Sequence, residues 1–427
     1  MNRPYLPPGG TPATARWPER LGWVLLLLLV LSPTHTKLAG LLWLLAGLTG
    51  ISLAMLAWRK PTRPVDPLTL GARQWLLACT VMLALWQSMA LYWQEPCCTY
   101  SSDINSGLRL WLAALATYGL VRHWHAPAVW SLRLYHALAL ACVASLWMVL
   151  VSGRFELPSY PIPWSASVAM LLVLLFPAAL KSPAGSTTRR LWLLACGAGV
   201  AAVLLSQSRG AYVILGWMVY AWARSAHGGF QWRRSLRPLL LGLTLAGSVL
   251  VTGWLPSDPL RMREAWNDLS ASWRQDDYNN SLGGRLALYE LAASTVAESP
   301  WTGVGARERL HRIRTLGLDR PEPERSHLAH ARTQGHVHNA YLHHAMDGGV
   351  ISLLGFMLSI AGLWLAARTV RLTWPLTALQ LQGLTFVHAF TSVSNVNHAH
   401  NYYAVMLSLS VLLAFVLGRC LSDEPSV

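Results

Sequence analysis

About twelve apolar runs, separated by polar segments, constrain this chain more than any other feature. They lie near Trp17–Leu31, Leu38–Trp58, Trp75–Trp93, Leu108–Val121, Val129–Val151, Ser165–Leu180, Leu191–Leu205, Ala211–Ala223 and Leu236–Trp254. After a long polar gap come Gly349–Ala367, Trp374–Phe390 and Tyr402–Leu417. With 53% hydrophobic and only 12% charged residues, the chain is no disordered polymer. The expectation is an all-α polytopic membrane protein with about twelve transmembrane helices. Several runs fall short of the ~20 residues of a straight crossing, so their bounds are soft. The sixth, preceded by Tyr160-Pro161-Ile162-Pro163, is expected to start irregularly. The chain divides into residues 1–254 with nine helices, a large loop at 255–337, and 338–427 with the last three.

The net charge of +15 raises the question of nucleic acid, and its distribution answers it. If the N-terminus starts inside, the inner segments hold 19 cations (among them Arg59, Arg122, Arg189, Arg233, Arg368 and Arg419) against four acids. The short outer loops hold Lys37, Arg109, Arg154 and Arg209 against three acids, and the long loop carries eleven Arg against eleven acids. The excess lies on one face, as the positive-inside rule requires. Membrane topology therefore explains the basicity, and no nucleic-acid partner is implied. Both termini are expected inside and the long loop outside. The first helix lacks a small-residue cleavage site and is read as retained.

Cys79, Cys142 and Cys196 fall in spans and Cys420 inside. Cys97-Cys98 lie outside, where two thiols and a disulfide are both open readings. No paired Cys-x-x-Cys elements occur. The long loop, with Trp266, Trp273, Tyr278 and Trp301 among its charges, reads as a partly helical folded unit rather than a linker.

Three polar elements fall at outer ends of helices. Ser206-Gln207-Ser208-Arg209-Gly210 puts an arginine where a helix starts, which suits an anion, although an arginine snorkelling to lipid headgroups fits too. Asn279 to Arg285 (Asn-Asn-Ser-Leu-Gly-Gly-Arg) reads as a capped helix start, with Arg285 in a first turn where the dipole disfavours cations. Either an anion compensates it or it is solvated. His336-Val337-His338-Asn339-Ala340-Tyr341 closes the long loop and opens a membrane helix. An ionisable residue there marks a candidate functional site, and histidine accepts a proton near neutral pH. His336 and His338, with His343-His344 and His398-Ala399-His400, also pose a metal site. Asp276-Asp277 is the only acidic pair in the outer segments, and the first outer loop has no acid, so no metal or other cofactor is expected.

Two arginines at helix starts suit a pyrophosphate, and a histidine suits activation of a hydroxyl. The motifs Ser208-Arg209-Gly210, Gly284-Arg285-Leu286 followed by Pro300 and Gly303-Val304-Gly305, and His338-Asn339-Ala340-Tyr341-Leu342 before Asp347-Gly348-Gly349 resemble the O-antigen ligase and polymerase superfamily. The resemblance covers roughly Ser206 to Gly355. Within the superfamily it is most similar to the ligase that joins O-antigen to lipopolysaccharide core. It implies a GT-C-type glycosyltransferase in the bacterial inner membrane with a periplasmic active site. The implied donor is undecaprenyl-pyrophosphate-linked O-antigen and the implied acceptor a lipid A–core hydroxyl, within membrane lipids and without ATP or metal. It assigns Arg209 and Arg285 to the pyrophosphate and His338 to the base. Gln207, Gly284, His336, Asn339 and Tyr278 are further candidates for substrate binding. Asp347 stands where relatives often have Glu, and is expected to orient His338 or cap a helix. O-antigen polymerase and a transferase of glycan to protein share the donor chemistry. A permease is the reading from another class, although nearly every charge lies at the end of a span.

Overall fold

A computed structural model describes residues 17–59, 66–94, 102–123, 129–183, 185–226 and 261–422, and every regular element among them is helical. The ninth expected run, Leu236–Trp254, and Cys97-Cys98 lie outside the described residues. The other eleven runs each coincide with a helix. These are α1 (Trp17–Leu31), α2 (Thr36–Arg59), α3 (Pro67–Tyr92), α4 (Ser102–His123), α5 (Val129–Ser152), α6 (Pro161–Lys181), α7 (Thr187–Leu205) and α8 (Val213–Ala226). After α9 (Met262–Gln275), α10 (Ser281–Glu298) and α11 (Ala306–Thr315) of the long loop come α12 (Ala340–Val370), α13 (Pro375–Thr391) and α14 (Asn401–Ser422). Among the described residues seven of these, α2, α3, α5, α6, α7, α12 and α14, are long and apolar enough to cross a membrane.

Two helices differ from expectation. Helix α6 starts regularly at Pro161. A proline fits the first helical position because its fixed φ is already helical and its missing N–H would be unpaired there anyway. Helix α12 starts nine residues before Gly349, at Ala340, and is broken at Gly348 and Gly349. Hydropathy hides its first turns because His343, His344 and Asp347 are polar, yet all three are buried.

Helices α6 and α14 form the centre of the bundle. In each, 89% of the most apolar stretch is buried, against 22–44% in the other five long helices. Helix α12 packs along α3 through Gly355, Gly362 and Ala366, small residues that let two backbones approach. A Cβ on Gly362 would lie 2.5 Å from that of Ala78. Trp86 of α3 donates its indole N–H to the Ser352 carbonyl at 2.9 Å across the same contact.

The two ends of the bundle are pinned differently. At one, Arg419 donates to Asp66 (2.5 Å), to Thr69 Oγ1 and to the Val121 carbonyl, which ties α14 to the start of α3 and the end of α4. At the other, Thr36 donates to the Pro158 carbonyl and the Trp164 indole to the Pro33 carbonyl. The loops before α2 and α6 are thereby joined at the end where the long loop sits.

The long loop is a folded unit with its own small core of Leu288, Ala292, Ile313, Leu328, Ala331, Val337 and Met346. It docks on the break in α12 through backbone hydrogen bonds, beside the Arg309–Asp347 ion pair. Val304 N–H donates to the Met346 carbonyl, Gly305 N–H to Asp347 and Val350 N–H to Pro300, at 2.8–2.9 Å. Gly349 sits at φ +62° with the Trp301 carbonyl oxygen 2.3 Å from where a Cβ would be, so only glycine fits. Gly303-Val304-Gly305 and Asp347-Gly348-Gly349 are thus two halves of one joint.

Candidate active site

Each of the three sequence elements has a local reason for its shape. Ser206 ends α7 by donating to the Val203 carbonyl and accepting from Ser208 N–H, and Gln207 takes a left-handed φ of +56°. This turns the chain into a short 3₁₀ segment, Arg209–Tyr212, which leads directly into α8. Gly210 packs so closely on Ser394 that a Cβ would lie 2.1 Å from its hydroxyl. Asn280 caps α10 by accepting from Gly283 N–H at 2.7 Å. Arg285 is the fifth helical residue, one position past the first turn expected for it. Gly284 admits the ring of His330, whose Cδ2 is 2.7 Å from a Cβ built there.

His338 lies two residues before α12, at φ +57°. A side chain other than glycine held in this region costs of order 1–3 kcal/mol and persists where its surroundings enforce it. Those surroundings are specific. Asn339 caps α12 by accepting from Tyr341 and Leu342 N–H. The Tyr289 hydroxyl donates to the His338 carbonyl at 3.1 Å and to that of Val393 at 3.3 Å.

The imidazole is held from both sides. Its Nδ1 lies 3.1 Å from Asn395 Oδ1 and its Nε2 2.7 Å from Gln334 Oε1. The same Asn395 oxygen is 2.9 Å from His336 Nε2. Asn395 cannot turn over, because its Nδ2 donates to Asn397 Oδ1, and Asn397 in turn donates to the Thr391 carbonyl. Its two lone pairs therefore accept from His336 Nε2–H and His338 Nδ1–H, which fixes both tautomers. Amide oxygens at both ring nitrogens suit an imidazolium, whereas burial suits the neutral ring. Burial decides. It holds His338 at about 3 and His336 at about 4, with the ring of His336 and the guanidinium of Arg285 adding to the depression at His338. With Nδ1–H on Asn395, neutral His338 has a lone pair at Nε2, which pairs with Gln334 only if that amide turns its NH2 rather than its oxygen to the ring.

Arg285, which acts on this ring, is one of four guanidiniums that lie near one another. Arg285 feels the charges of Arg209 and Arg261, and Arg154 feels those of Arg261 and Arg209. Burial, with these cations behind it, pushes Arg285 and Arg154 below their ordinary values. Glu264 is the carboxylate that reaches the group. Its bonds to Arg261 hold it below the usual carboxylate range, and Arg209 and Arg154 act on it as well. Arg154 also donates to Gln207 Oε1 at 3.3 Å, which ties the loop after α5 to the Arg209 turn. One carboxylate among four guanidiniums leaves a site short of negative charge, and a group with about that charge deficit and several oxygens fits it.

Residues 192–357, from α7 to the middle of α12, match the O-antigen ligase family. No curated protein matches the chain. The matched segment includes Arg209, Arg285 and His338, while Asn395 and the loop around it lie beyond it.

Arg209, Arg285, Gln207, His336, Asn339 and His338 thus come together at one end of the bundle. Tyr278 does not join them. It lines a separate 510 Å³ pocket in the long loop with Asp276, Glu290 and Arg320. Asp347 caps no helix and acts on His338 only indirectly. Its carboxylate accepts from Arg309 Nε at 2.5 Å and lies 3.6 Å from His343 Nε2. Arg309 also donates to the Gly335 carbonyl at 2.6 Å, so the pair fixes the strand that carries His336 and His338. His343, His344 and His398 are at most 1% exposed, with His344 and His398 stacked between Trp86 and Phe356. Among the described residues no three His, Cys, Asp or Glu side chains converge on a point.

Five residues of the site escaped the sequence reading: Asn395, Gln334, Tyr289, Arg154 and Arg261. Asn395 had a signal, since Ser394-Asn395-Val396-Asn397 is a polar run between two apolar spans. The other four carry none, because their place depends on the fold of the long loop or on the turn after α5.

Proposed function

We propose that the chain transfers a glycan from undecaprenyl pyrophosphate to a sugar hydroxyl of lipid A–core, at the periplasmic face of the bacterial inner membrane, by one inverting displacement that needs no metal. The observation that carries this reading is the surplus of guanidiniums over carboxylates beside a neutral, tautomer-fixed histidine. A diphosphate leaving group is acidic enough to depart without a proton, provided its charge is neutralised. Arginines do this with planar paired donors. The membrane spans suit substrates that are both lipid-linked.

In the proposed step the acceptor hydroxyl displaces the Gln334 amide and hydrogen-bonds to His338 Nε2. Its oxygen forms a bond to the anomeric carbon as the bond from that carbon to the phosphate oxygen breaks. The electron pair goes to the diphosphate, held by Arg209 and Arg285 with Arg154 and Arg261 behind them. The hydroxyl proton goes to His338 and from there to water. A histidine held near 3 is a weak base in the empty site. The arriving diphosphate offsets the cationic part of that depression, so the donor itself raises the basicity of His338.

A deletion strain tests this reading. Loss of the protein is expected to leave lipid A–core bare, with polymerised glycan accumulating on the carrier lipid. Core capped by a single repeat would instead assign a polymerase. Intact lipopolysaccharide with loss of glycoprotein would assign transfer to protein.

A further inference from the structure

A transferase with two large lipid-linked substrates needs two approaches that meet at one base. Arg285 and the arginines near it lie to one side of His338 in the order of charges that act on it. On the other side the rings of His338 and His336 are 4.2 Å apart, and that of His400 meets His336 edge-on at 6.5 Å. The charges that act most on His338 include Arg285, whereas those acting on His336 include His400 and Arg309. The order across the site is thus arginines, His338, His336, His400. His400 forms part of the wall of a 510 Å³ pocket, built from Thr36, Lys37 and Gly40 of α2, Pro158 and Ser159 before α6, and the 399–405 segment opening α14. The Thr36 bond to Pro158 and the Tyr160 ring on His400 brace this wall. The lining is mainly polar, and its one cation, Lys37, is exposed at the mouth.

We propose that this pocket is the acceptor subsite, and that its ligand is an acidic glycolipid. Lys37 pairs with a phosphate or carboxylate on the inner sugars, His400 hydrogen-bonds a sugar hydroxyl, and the acceptor hydroxyl passes His336 to reach His338. This rests on the transferase reading, since a subsite is meaningful only if His338 serves two substrates. Lysine suits such a task as a compact charge on a flexible stem, able to follow acidic groups at differing places.

The test is equilibrium binding of purified lipid A–core, and separately of undecaprenyl pyrophosphate, to the full chain in lipid nanodiscs. Lys37→Glu is expected to weaken lipid A–core binding by at least ~10-fold, since it places like charges together. Lys37→Arg should retain binding. Gly40 lines the pocket and has nothing within 4 Å of a built Cβ, so Gly40→Phe should occupy the pocket and block the glycolipid too. Undecaprenyl pyrophosphate binding is expected to stay unchanged in both, which shows that they fold. If Lys37→Glu and Gly40→Phe bind lipid A–core as tightly as the natural chain, the subsite is refuted. Because binding is read without turnover, that outcome is distinct from failure of the transferase reading, which would show as transfer surviving His338→Ala.

A second inference rests on α9. Met262, Trp266, Leu269 and Trp273 fall on one face at spacings of four, three and four residues, with exposures of 45, 68, 37 and 85%. Arg263 and Arg274 are exposed beside this stripe. Its first residues stand at the level where the spans end, because Arg261 and Glu264 act on Arg154, just past α5, and Glu264 feels Arg209, just before α8. We infer that α9 lies in the outer-leaflet interface, its apolar stripe among acyl chains and its arginines at lipid phosphates. A photo-reactive benzoyl-phenylalanine at 266 or 273, in native membranes, is expected to cross-link phospholipid, whereas one at Asn267 on the opposite side should not. Absence of lipid adducts from 266 and 273, or equal adducts from 267, would overturn it.

Discussion

Asn395→Asp replaces one oxygen acceptor by another in the same place and adds a negative charge. In the natural chain the Asn395 oxygen sits 2.9 Å from His336 Nε2 and 3.1 Å from His338 Nδ1. A carboxylate that close favours the imidazolium and raises a histidine by ~1–3 pH units. His338 starts at about 3, held down by burial first and then by His336 and Arg285. Since the neutral ring is the active form, rate is lost as pH falls through this value. The acid limb of kcat/KM for the free protein should therefore lie well below 6.5 in the natural chain, and move up by ~1–3 pH units in Asn395→Asp. Asn395→Leu instead removes the acceptor, frees the tautomer and should lower kcat by ~10²-fold or more, with little change in donor KM. Transfer assayed from pH 4 to 8 with purified donor and acceptor separates the cases. An acid limb that stays in place in Asn395→Asp, or an Asn395→Leu protein with full kcat, would refute the role given to this asparagine.

Removing one guanidinium of the cluster should act on the donor. Arg285→Ala is expected to lower kcat/KM for the donor ~10–100-fold, from the loss of charge-assisted bonds worth ~1.5–3 kcal/mol, with Arg285→Lys recovering part; donor titrations check this. The buried Arg309–Asp347 pair holds the Gly335 carbonyl, and Asp347→Ala leaves a buried guanidinium uncompensated, at ~3–5 kcal/mol. The single variant should melt lower in detergent than Arg309→Met with Asp347→Leu together, and the reverse order would contradict the pairing. Gly349→Ala forces a Cβ onto the Trp301 carbonyl at a positive φ and should loosen the long loop, seen as faster proteolysis within residues 261–337.

Much of the helical plan was legible because hydropathy and capping act locally. The Asn280 cap before α10 and the Asn339 cap before α12 are visible as single polar residues ahead of apolar periods. The break in α12 was legible only as Asp347-Gly348-Gly349, and its purpose required the partner 44 residues away at Gly303-Val304-Gly305. Arg209, Arg285 and His338 could be picked out by where they stand relative to helix starts. The groups that tune them could not. Asn395 and Gln334 act through hydrogen bonds across the fold, and Arg154 and Arg261 enter the cluster because two loops close over the same end of the bundle. Asp347 misled because its nearest cation in space, Arg309, is 38 residues away along the chain.

The central claim is that His338 serves as base for a glycan leaving an arginine-held diphosphate. Its most direct test is transfer by the purified full chain in proteoliposomes, with undecaprenyl-pyrophosphate-linked glycan and lipid A–core as the only substrates and EDTA present throughout. The account predicts product from the natural chain, and a loss of ~10²–10⁴-fold in His338→Ala with donor binding retained. Undiminished transfer by His338→Ala, or abolition of the natural activity by EDTA, would contradict it.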